Sequence, residues 1–202
     1  MVDISTLAPK VATDAIGCPH PLLVAKLVEA AQLFCRRAWV WRYYSQLFLN
    51  PGEDVYDIDL PPGANLTAIM RVHNNYGELL PTVTDLAGVE DDNTDKLVGD
   101  PLEYIMQPPN LIKFSPTPSK VSTMNVHCIL TPSGTEIPEW MADEYGTVIV
   151  AGAKSQLLLI QDTAWFRPKV AMYYQNEFRK GLNAARVSLI NAKAVPPVER
   201  II

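Results

Sequence analysis

Apolar side chains recur at three- and four-residue spacing in the first fifth of the chain. The positions that share this spacing are Leu23, Leu27, Ala30, Ala31, Phe34, Ala38 and Trp41. Charged residues such as Lys26, Glu29 and Arg36 fall between them, on the other side of a helical period. The pattern predicts an amphipathic helix over residues 21–38 that buries one stripe of side chains.

The period changes after this helix. Short runs rich in β-branched and aromatic residues follow, separated by turn-forming sequences such as NPGED, PPGAN and QPPN. Apolar and polar residues alternate from Val55 to Leu60, as they do in a half-buried strand. Short strands at regular spacing predict a small antiparallel β-sandwich.

Helical spacing returns in the last third of the chain. A helix is expected from Pro138, and its run to Ile160 is apolar nearly all round, which predicts burial by its own fold or by neighbouring subunits. A last helix is expected from Pro168. Its predicted core stripe is Ala171, Tyr174, Phe178, Leu182, Ala185, Leu189 and Ala192. Pro196 and Pro197 cannot continue a helix, so an extended tail is expected after it.

Together these elements predict an α+β fold with a discontinuous helical domain. The terminal helices, residues 1–41 and 136–194, are expected to form a helical bundle. The small antiparallel β-sandwich, residues 42–135, is inserted between them, and residues 195–202 form the tail.

Composition and charge narrow the classes of function. The net charge of −5 disfavours a protein that reads nucleic acid, because such domains are usually basic. The cysteines Cys18, Cys35 and Cys128 are too widely spaced to form a metal-binding or disulfide pattern. Neither a signal peptide nor a long apolar run is recognisable, so we expect no membrane association.

The chain also offers little catalytic chemistry. Residues 152–155 read GAKS, but a phosphate loop needs Gly directly before the Lys, where Ala153 stands. The small residues are instead expected to let another helix approach closely. His20, His73 and His127 are isolated along the chain, without metal-ligand spacing. We therefore expect no enzymatic activity, no cofactor and no metal.

The segment AAQLFCRRAWVW, residues 30–41, allows more than one interpretation. Arg36 and Arg37 suit a helix C-terminus, where the carbonyl groups carry partial negative charge. Alternatively they contact a partner, because Arg and Trp are enriched at interface hot spots. A nucleic-acid-binding helix would need more cations. Trp41 continues the buried stripe, whereas Trp39 lies off it, near the junction of helix and β block.

Several segments, taken in order, resemble one protein family. A Cys-Pro-x-Pro lead precedes the first helix, which ends in Phe-Cys-x-x-Ala-Trp-x-Trp. The residues of this pattern are Cys18, Pro19, Pro21, Phe34, Cys35, Trp39 and Trp41. VYDIDLPPGA, NNYGELLP, GDPLEYIM, NLIKFSPTPS and IPEWMADEYGTVIVAGAKSQLL follow. Over about residues 17–194 the chain resembles the head-to-tail adaptors, or connectors, of tailed bacteriophages related to tail tubular protein A. Arg167 departs from the pattern, because such sequences tend to have a helix-capping Asn there.

The resemblance implies a structural virion protein. Such adaptors form a homo-oligomeric ring, usually of twelve copies, between the portal protein and the tail nozzle or tail tube protein. DNA passes through the ring without sequence readout, and an acidic chain is compatible with that passage. The implied location is the head-to-tail interface of the virion, after synthesis in the host cytoplasm.

Two sets of candidate residues follow from these interpretations. Candidates for a portal or inter-subunit interface are Arg36, Arg37, Val198, Arg200, Ile201 and Ile202. Candidates for the core or the junction are Phe34, Trp39, Trp41 and Trp140. The alternative function is a soluble β-sandwich binding module, such as a tail or receptor-binding scaffold subunit. That alternative explains the β block but not the helical frame.

Overall fold

The computed structural model describes residues 1–83 and 97–193, with side chains up to residue 189. The chain forms two compact units. The helical unit consists of Met1–Val40 and the described chain from Thr131 onward, and the β unit consists of Trp41–Leu130. The hydrophobic pattern predicts the corresponding limits at 41/42 and 135/136. Helices and antiparallel sheets are both present, so the fold is mixed α+β.

Helices flank a block of strands along the chain. The elements are β1 (Val2–Asp3), a 3-10 helix (Ile4–Leu7), α1 (Ala8–Ala12), α2 (His20–Ala38), β2 (Arg42–Leu49), β3 (Val55–Asp57), β4 (Ala64–His73), β5 (Leu79–Leu80), β6 (Val98–Gly99), β7 (Glu103–Gln107), β8 (Leu111–Ser115), β9 (Thr117–Pro118), β10 (Ser122–Pro132), β11 (Glu136–Ile137), α3 (Glu139–Leu157) and α4 (Pro168–Lys193). From α2 onward this is the order of helical and β-prone segments that the hydrophobic pattern predicts; residues 1–19, expected as an extended lead-in, instead contain β1, the 3-10 helix and α1.

α2 buries the predicted stripe but ends before its last member. The buried members are Leu23, Leu27, Ala30, Ala31, Phe34 and Ala38. Trp39 adopts a left-handed backbone conformation, with φ 59° and ψ 38°, and its N–H donates to the Cys35 carbonyl oxygen at 2.9 Å. Trp41 is therefore not on the helix, which corrects the prediction that it continues the stripe. It is nevertheless only 6% exposed, and its carbonyl accepts the Leu130 N–H within the β unit.

Small residues let the three long helices of the helical unit pack closely. A Cβ added to Gly152 of α3 would lie 2.9 Å from the Phe178 ring of α4 and 3.1 Å from the Ala30 Cβ of α2. A Cβ added to Gly181 of α4 would lie 2.5 Å from both γ-carbons of Val148 of α3. The GAKS segment lies inside α3, so the expectation that it serves helix packing is confirmed.

The C-terminal half of α3 is buried within its own chain. From Ile149 to Leu158 every residue is buried except Ser155 and Gln156, which are half-buried. The sequence left open whether the fold itself or neighbouring subunits would cover this apolar run. The chain covers it alone.

α4 buries the predicted stripe at four positions. Ala171, Phe178, Leu182 and Ala185 are buried, and Tyr174 and Leu189 are half-buried; the side chain of Ala192 lies outside the described residues. Where related sequences have a capping Asn, the Arg167 N–H donates to the Leu158 carbonyl oxygen at 2.9 Å and its carbonyl accepts the Ala171 N–H at 2.9 Å. This backbone link ties the start of α4 to the end of α3.

The β unit is built mainly from two sheets. The larger sheet has the strand order β2-β10-β4-β5, and β10 pairs antiparallel with β2 from Ser122↔Leu49 to Ile129↔Arg42. The smaller sheet has the order β3-β8-β7, and both of its pairs are antiparallel. A short parallel pair joins β6 to β9, and the pair of β1 with β11 belongs to the helical unit.

Candidate interaction surfaces

The ends of the three long helices meet at one end of the helical unit. α2 and α3 are antiparallel, because Cys35 contacts Met141 with their sulfur atoms 3.7 Å apart, whereas Ala30, earlier in α2, meets Gly152, later in α3. Phe34 is fully buried between them and α4, with its ring centroid 4.9 Å from that of Tyr145 and 6.4 Å from that of Phe178. The C-terminus of α2 and the N-terminus of α3 therefore lie at the same end.

The two arginines predicted as interface residues are exposed at this end. Arg36 and Arg37 occupy the last turn of α2, and among the described residues neither guanidinium forms an ion pair. Arg186 on α4, and neither of these arginines, binds a carbonyl group at the end of α2. Its Nε donates to the Arg37 carbonyl oxygen at 2.7 Å. A cation stabilises the last carbonyls of a helix because these carry partial negative charge. Since Arg186 supplies this contact, the side chains of Arg36 and Arg37 are available to a partner.

Two tryptophans are exposed at the same end. Trp39 directly follows α2 and is 47% exposed, and Trp140 lies in the first turn of α3 and is 41% exposed. Trp140 was a candidate for the core or the junction, and the core alternative is wrong. Its neighbour Met141 takes the buried position, and Trp140 packs edge-on against Tyr145 with 6.2 Å between the ring centroids. We call Arg36, Arg37, Trp39 and Trp140 the tryptophan end.

A polar cluster that the sequence analysis does not predict lies inside the helical unit. The Nζ of Lys154 on α3 is 2.5 Å from Oδ2 of Asp14 and donates to Oγ1 of Thr13 at 3.1 Å. The Tyr174 hydroxyl donates to the same Asp14 oxygen at 2.8 Å. The hydrogen bond from Lys154 is the main cause that holds the pKa of Asp14 below its ordinary value, and burial raises the pKa of Tyr174. Because the lysine of the GAKS segment is paired and 8% exposed, its role is structural.

The β unit carries a polar groove of about 460 Å³ across β2, β4 and β10. His73 and His127, isolated along the sequence, meet here with their ring centroids 5.2 Å apart. Tyr44 stands edge-on to His127 at 4.4 Å. Burial, followed by the charges of His73 and Arg71, lowers the pKa of His127, so its imidazole is neutral at physiological pH. The neutral His127 ring and amide side chains, such as that of Asn125, give this groove hydrogen-bonding capacity.

Within residues 1–83 and 97–193 no group of three or more His, Cys, Asp or Glu side chains is arranged to hold a metal ion. No helix in the described part of the chain is both long and apolar enough to cross a membrane. The candidate interface residues Val198, Arg200, Ile201 and Ile202 lie outside the described residues and stay predictions.

Comparison of the chain with models of known protein families and with curated protein sequences finds no match.

Proposed function

We propose that this chain is a structural virion protein, the head-to-tail adaptor that joins the portal of a bacteriophage to its tail nozzle or tail tube. The sequence resemblance suggests the role, and the tryptophan end is the observation that carries it. Trp39 and Trp140 are large apolar side chains left exposed beside Arg36 and Arg37. Trp and Arg dominate the energetic centres of protein interfaces, so this composition favours a surface that a partner covers.

In the proposed assembly, α2, α3 and α4 form a helical bundle and the β unit is an inserted antiparallel β-sandwich. Copies of the chain form a homo-oligomeric ring, usually of twelve, with the helical unit against the portal. DNA passes through the ring without being read, and a net charge of −5 avoids tight binding of its phosphates. The role involves no catalysis, cofactor or membrane. The protein works at the head-to-tail interface of the virion after synthesis in the host cytoplasm.

The decisive experiment removes both arginines of the tryptophan end. Arg36→Ala with Arg37→Ala should leave the helical circular dichroism unchanged, because both side chains are exposed. Attachment to portal-bearing heads, measured by co-sedimentation, should fall at least about tenfold, since each hot-spot side chain contributes more than about 1 kcal/mol.

The matched control is another pair of adjacent exposed cations on a helix. Arg179→Ala with Lys180→Ala on α4 removes the same charge and should leave attachment unchanged. Normal attachment of the Arg36 and Arg37 variant would refute this surface as the portal contact. Negative-stain images of the protein mixed with portal should show a ring on the portal, and its absence would count against the adaptor role itself.

A second candidate is a soluble β-sandwich binding module, such as a tail or receptor-binding scaffold subunit. The polar groove favours it, because a concave site with a few placed polar groups is typical of ligand-binding sites. Tyr44→Ala with His127→Ala would then abolish partner binding while the Arg36 and Arg37 variant bound normally. The adaptor proposal predicts the opposite result on portal-bearing heads.

A further inference from the structure

α2 carries a second row of apolar side chains, away from its buried stripe. At about 100° per residue, Pro21, Val24, Ala25 and Val28 lie roughly opposite Leu23 and Leu27. Val24 and Val28 are half-buried, and Pro21 and Ala25 are exposed. With Asp3 and residues 134–135 they line a groove of about 680 Å³, which we call the N-terminal groove.

The wall opposite α2 is held in place by backbone hydrogen bonds. The Ile4 N–H donates to the Thr135 carbonyl oxygen at 2.8 Å, and β1 pairs with β11. Oδ1 of Asp3 accepts the Ser5 N–H at 2.7 Å, and this hydrogen bond is the main cause that lowers the pKa of Asp3. The groove is therefore formed before any ligand arrives, with an apolar floor and an anionic carboxylate at its rim.

We propose that the N-terminal groove binds the tail, residues 195–202, of a second copy of this chain. The tail reads VPPVERII. Its apolar residues Val195, Val198 and Ile201 recur every three residues, which places them on one face of the polyproline II helix that adjacent prolines favour. Arg200 offers a cation to the Asp3 carboxylate. A segment already restricted by prolines loses less entropy on binding than a flexible one.

The tail of one chain is too short to reach the N-terminal groove of the same chain. α4 runs parallel to α2, because Phe34 meets Phe178 and, further along both helices, Arg37 meets Arg186. Lys193 thus lies about 10 Å beyond the end of α2, and Val24 lies about 20 Å before that end. The tail must therefore span about 30 Å, whereas the five residues from Lys193 to Val198 extend only about 15 Å in a polyproline II helix. Only another copy can place Val198 in the groove.

A contact of this kind joins two different surfaces of identical chains. Repeated from copy to copy, such a head-to-tail contact generates a ring when the rotation closes. The inference therefore rests on the proposed adaptor ring and names the contact that links its neighbours.

A labelled peptide of residues 194–202 tests recognition directly. It is titrated onto full-length Val198→Asp protein, whose own tail cannot compete for the groove. Saturable binding is expected, and adding Ala25→Glu should weaken it at least tenfold, because the new charge projects into the apolar floor. Ala25 is exposed, so this change leaves the core intact.

The matched control makes the same change at an exposed alanine elsewhere. Ala184→Glu on α4 should leave peptide binding unchanged, and a peptide carrying Val198→Asp should not bind. Absence of saturable binding, or equal binding to the Ala25→Glu protein, would overturn the proposal.

Mixing two full-length variants tests exchange between copies. The Ala25→Glu variant has an intact tail but a groove that no longer binds one. The Val198→Asp variant has an intact groove but a tail that no longer binds. An equimolar mixture should show a heterodimer by native mass spectrometry that neither variant forms alone; no heterodimer would overturn binding between copies.

Failure of both assays with portal attachment still dependent on Arg36 and Arg37 would leave the adaptor role standing. Successful peptide binding without portal attachment would overturn the adaptor role alone.

Discussion

Replacing Gly181 with Ala measures how closely α3 and α4 pack. The added Cβ would meet both γ-carbons of Val148 at 2.5 Å and its Cβ at 3.1 Å. Carbon atoms pack favourably at about 3.5–4.0 Å, so the helices must separate by roughly 1 Å or Val148 must change rotamer. A valine in a helix strongly prefers one rotamer, which makes the second route costly.

Two opposing terms set the size of the effect. Overpacking typically destabilises by about 1–3 kcal/mol, whereas Ala is favoured over Gly inside a helix by about 1 kcal/mol. We expect Gly181→Ala to destabilise the protein by about 1 kcal/mol. In a Val148→Ala background the γ-carbons are gone and only the Cβ contact at 3.1 Å remains, so the same substitution should stabilise by up to about 1 kcal/mol. The effects of Gly181→Ala in the two backgrounds therefore differ by up to about 2 kcal/mol, which is the coupling energy between positions 181 and 148.

The assay is urea or thermal unfolding followed by circular dichroism at the helical minimum, which reports mainly on the helical unit. For a chain of this length, 1 kcal/mol corresponds to about 2–4 °C in Tm. Gly146→Ala on α3 is the matched control, because its added Cβ would lie at an ordinary 3.4 Å from the nearest Leu7 methyl carbon. That variant should be more stable than the parent. If Gly181→Ala stabilises as much as Gly146→Ala in both backgrounds, the two helices do not meet closely at Gly181 and the packing argument fails.

Two further predictions concern buried polar and thiol groups. Asp14→Ala leaves the Lys154 ammonium buried without its partner and should lower the free energy of unfolding by on the order of 3 kcal/mol in urea; an unchanged midpoint would show that the pair contributes nothing. Because the pKa of Asp14 is lowered from 3.8, this stabilisation is present above about pH 4 and is lost as pH falls through the lower folded pKa, a loss that acid unfolding should show in the parent but not in Asp14→Asn. In native protein at neutral pH a thiol reagent should modify only Cys18 quickly, since Cys35 and Cys128 are fully buried and burial raises the pKa of both thiols to about 12. Rapid modification of all three without denaturant would contradict that burial.

Local spacing is enough to predict the three long helices, but not the 3-10 helix Ile4–Leu7 or α1. The helix expected at residues 21–38 is observed as His20–Ala38, and α4 begins at the expected Pro168. What spacing could not predict is the end of α2. A left-handed residue after a helix is usually Gly, because a side chain there costs about 1–2 kcal/mol. Trp39 takes that conformation without a sequence signal, and so Trp41 was wrongly placed on the helical stripe.

Contacts distant in sequence account for the rest of what was missed. Lys154 and Asp14 are 140 residues apart, and no local pattern pairs them. The same reason hid the meeting of His73 with His127, which depends on the order of β4 and β10 in the sheet. The exposure of Trp140 escapes prediction for a different reason. A helix that is apolar nearly all round has no clear polar side, so spacing cannot tell which of its apolar residues face solvent.

The burial of α3 changes which observations support an assembly. Its nearly continuous apolar run is compatible with cover by its own fold or by neighbouring subunits, and Gly152 and Gly181 let α2 and α4 cover it within the chain. An apolar surface satisfied internally is no evidence for a partner, whereas one left exposed is. Two surfaces with exposed apolar side chains are the N-terminal groove and the tryptophan end, which lie at opposite ends of α2, about 20 Å apart from Val24 to Arg37. Under the adaptor proposal, a neighbouring copy covers the first surface and the portal covers the second. Blocking the groove at Ala25 should then break contacts between copies without removing the portal surface, and removing Arg36 and Arg37 should do the reverse.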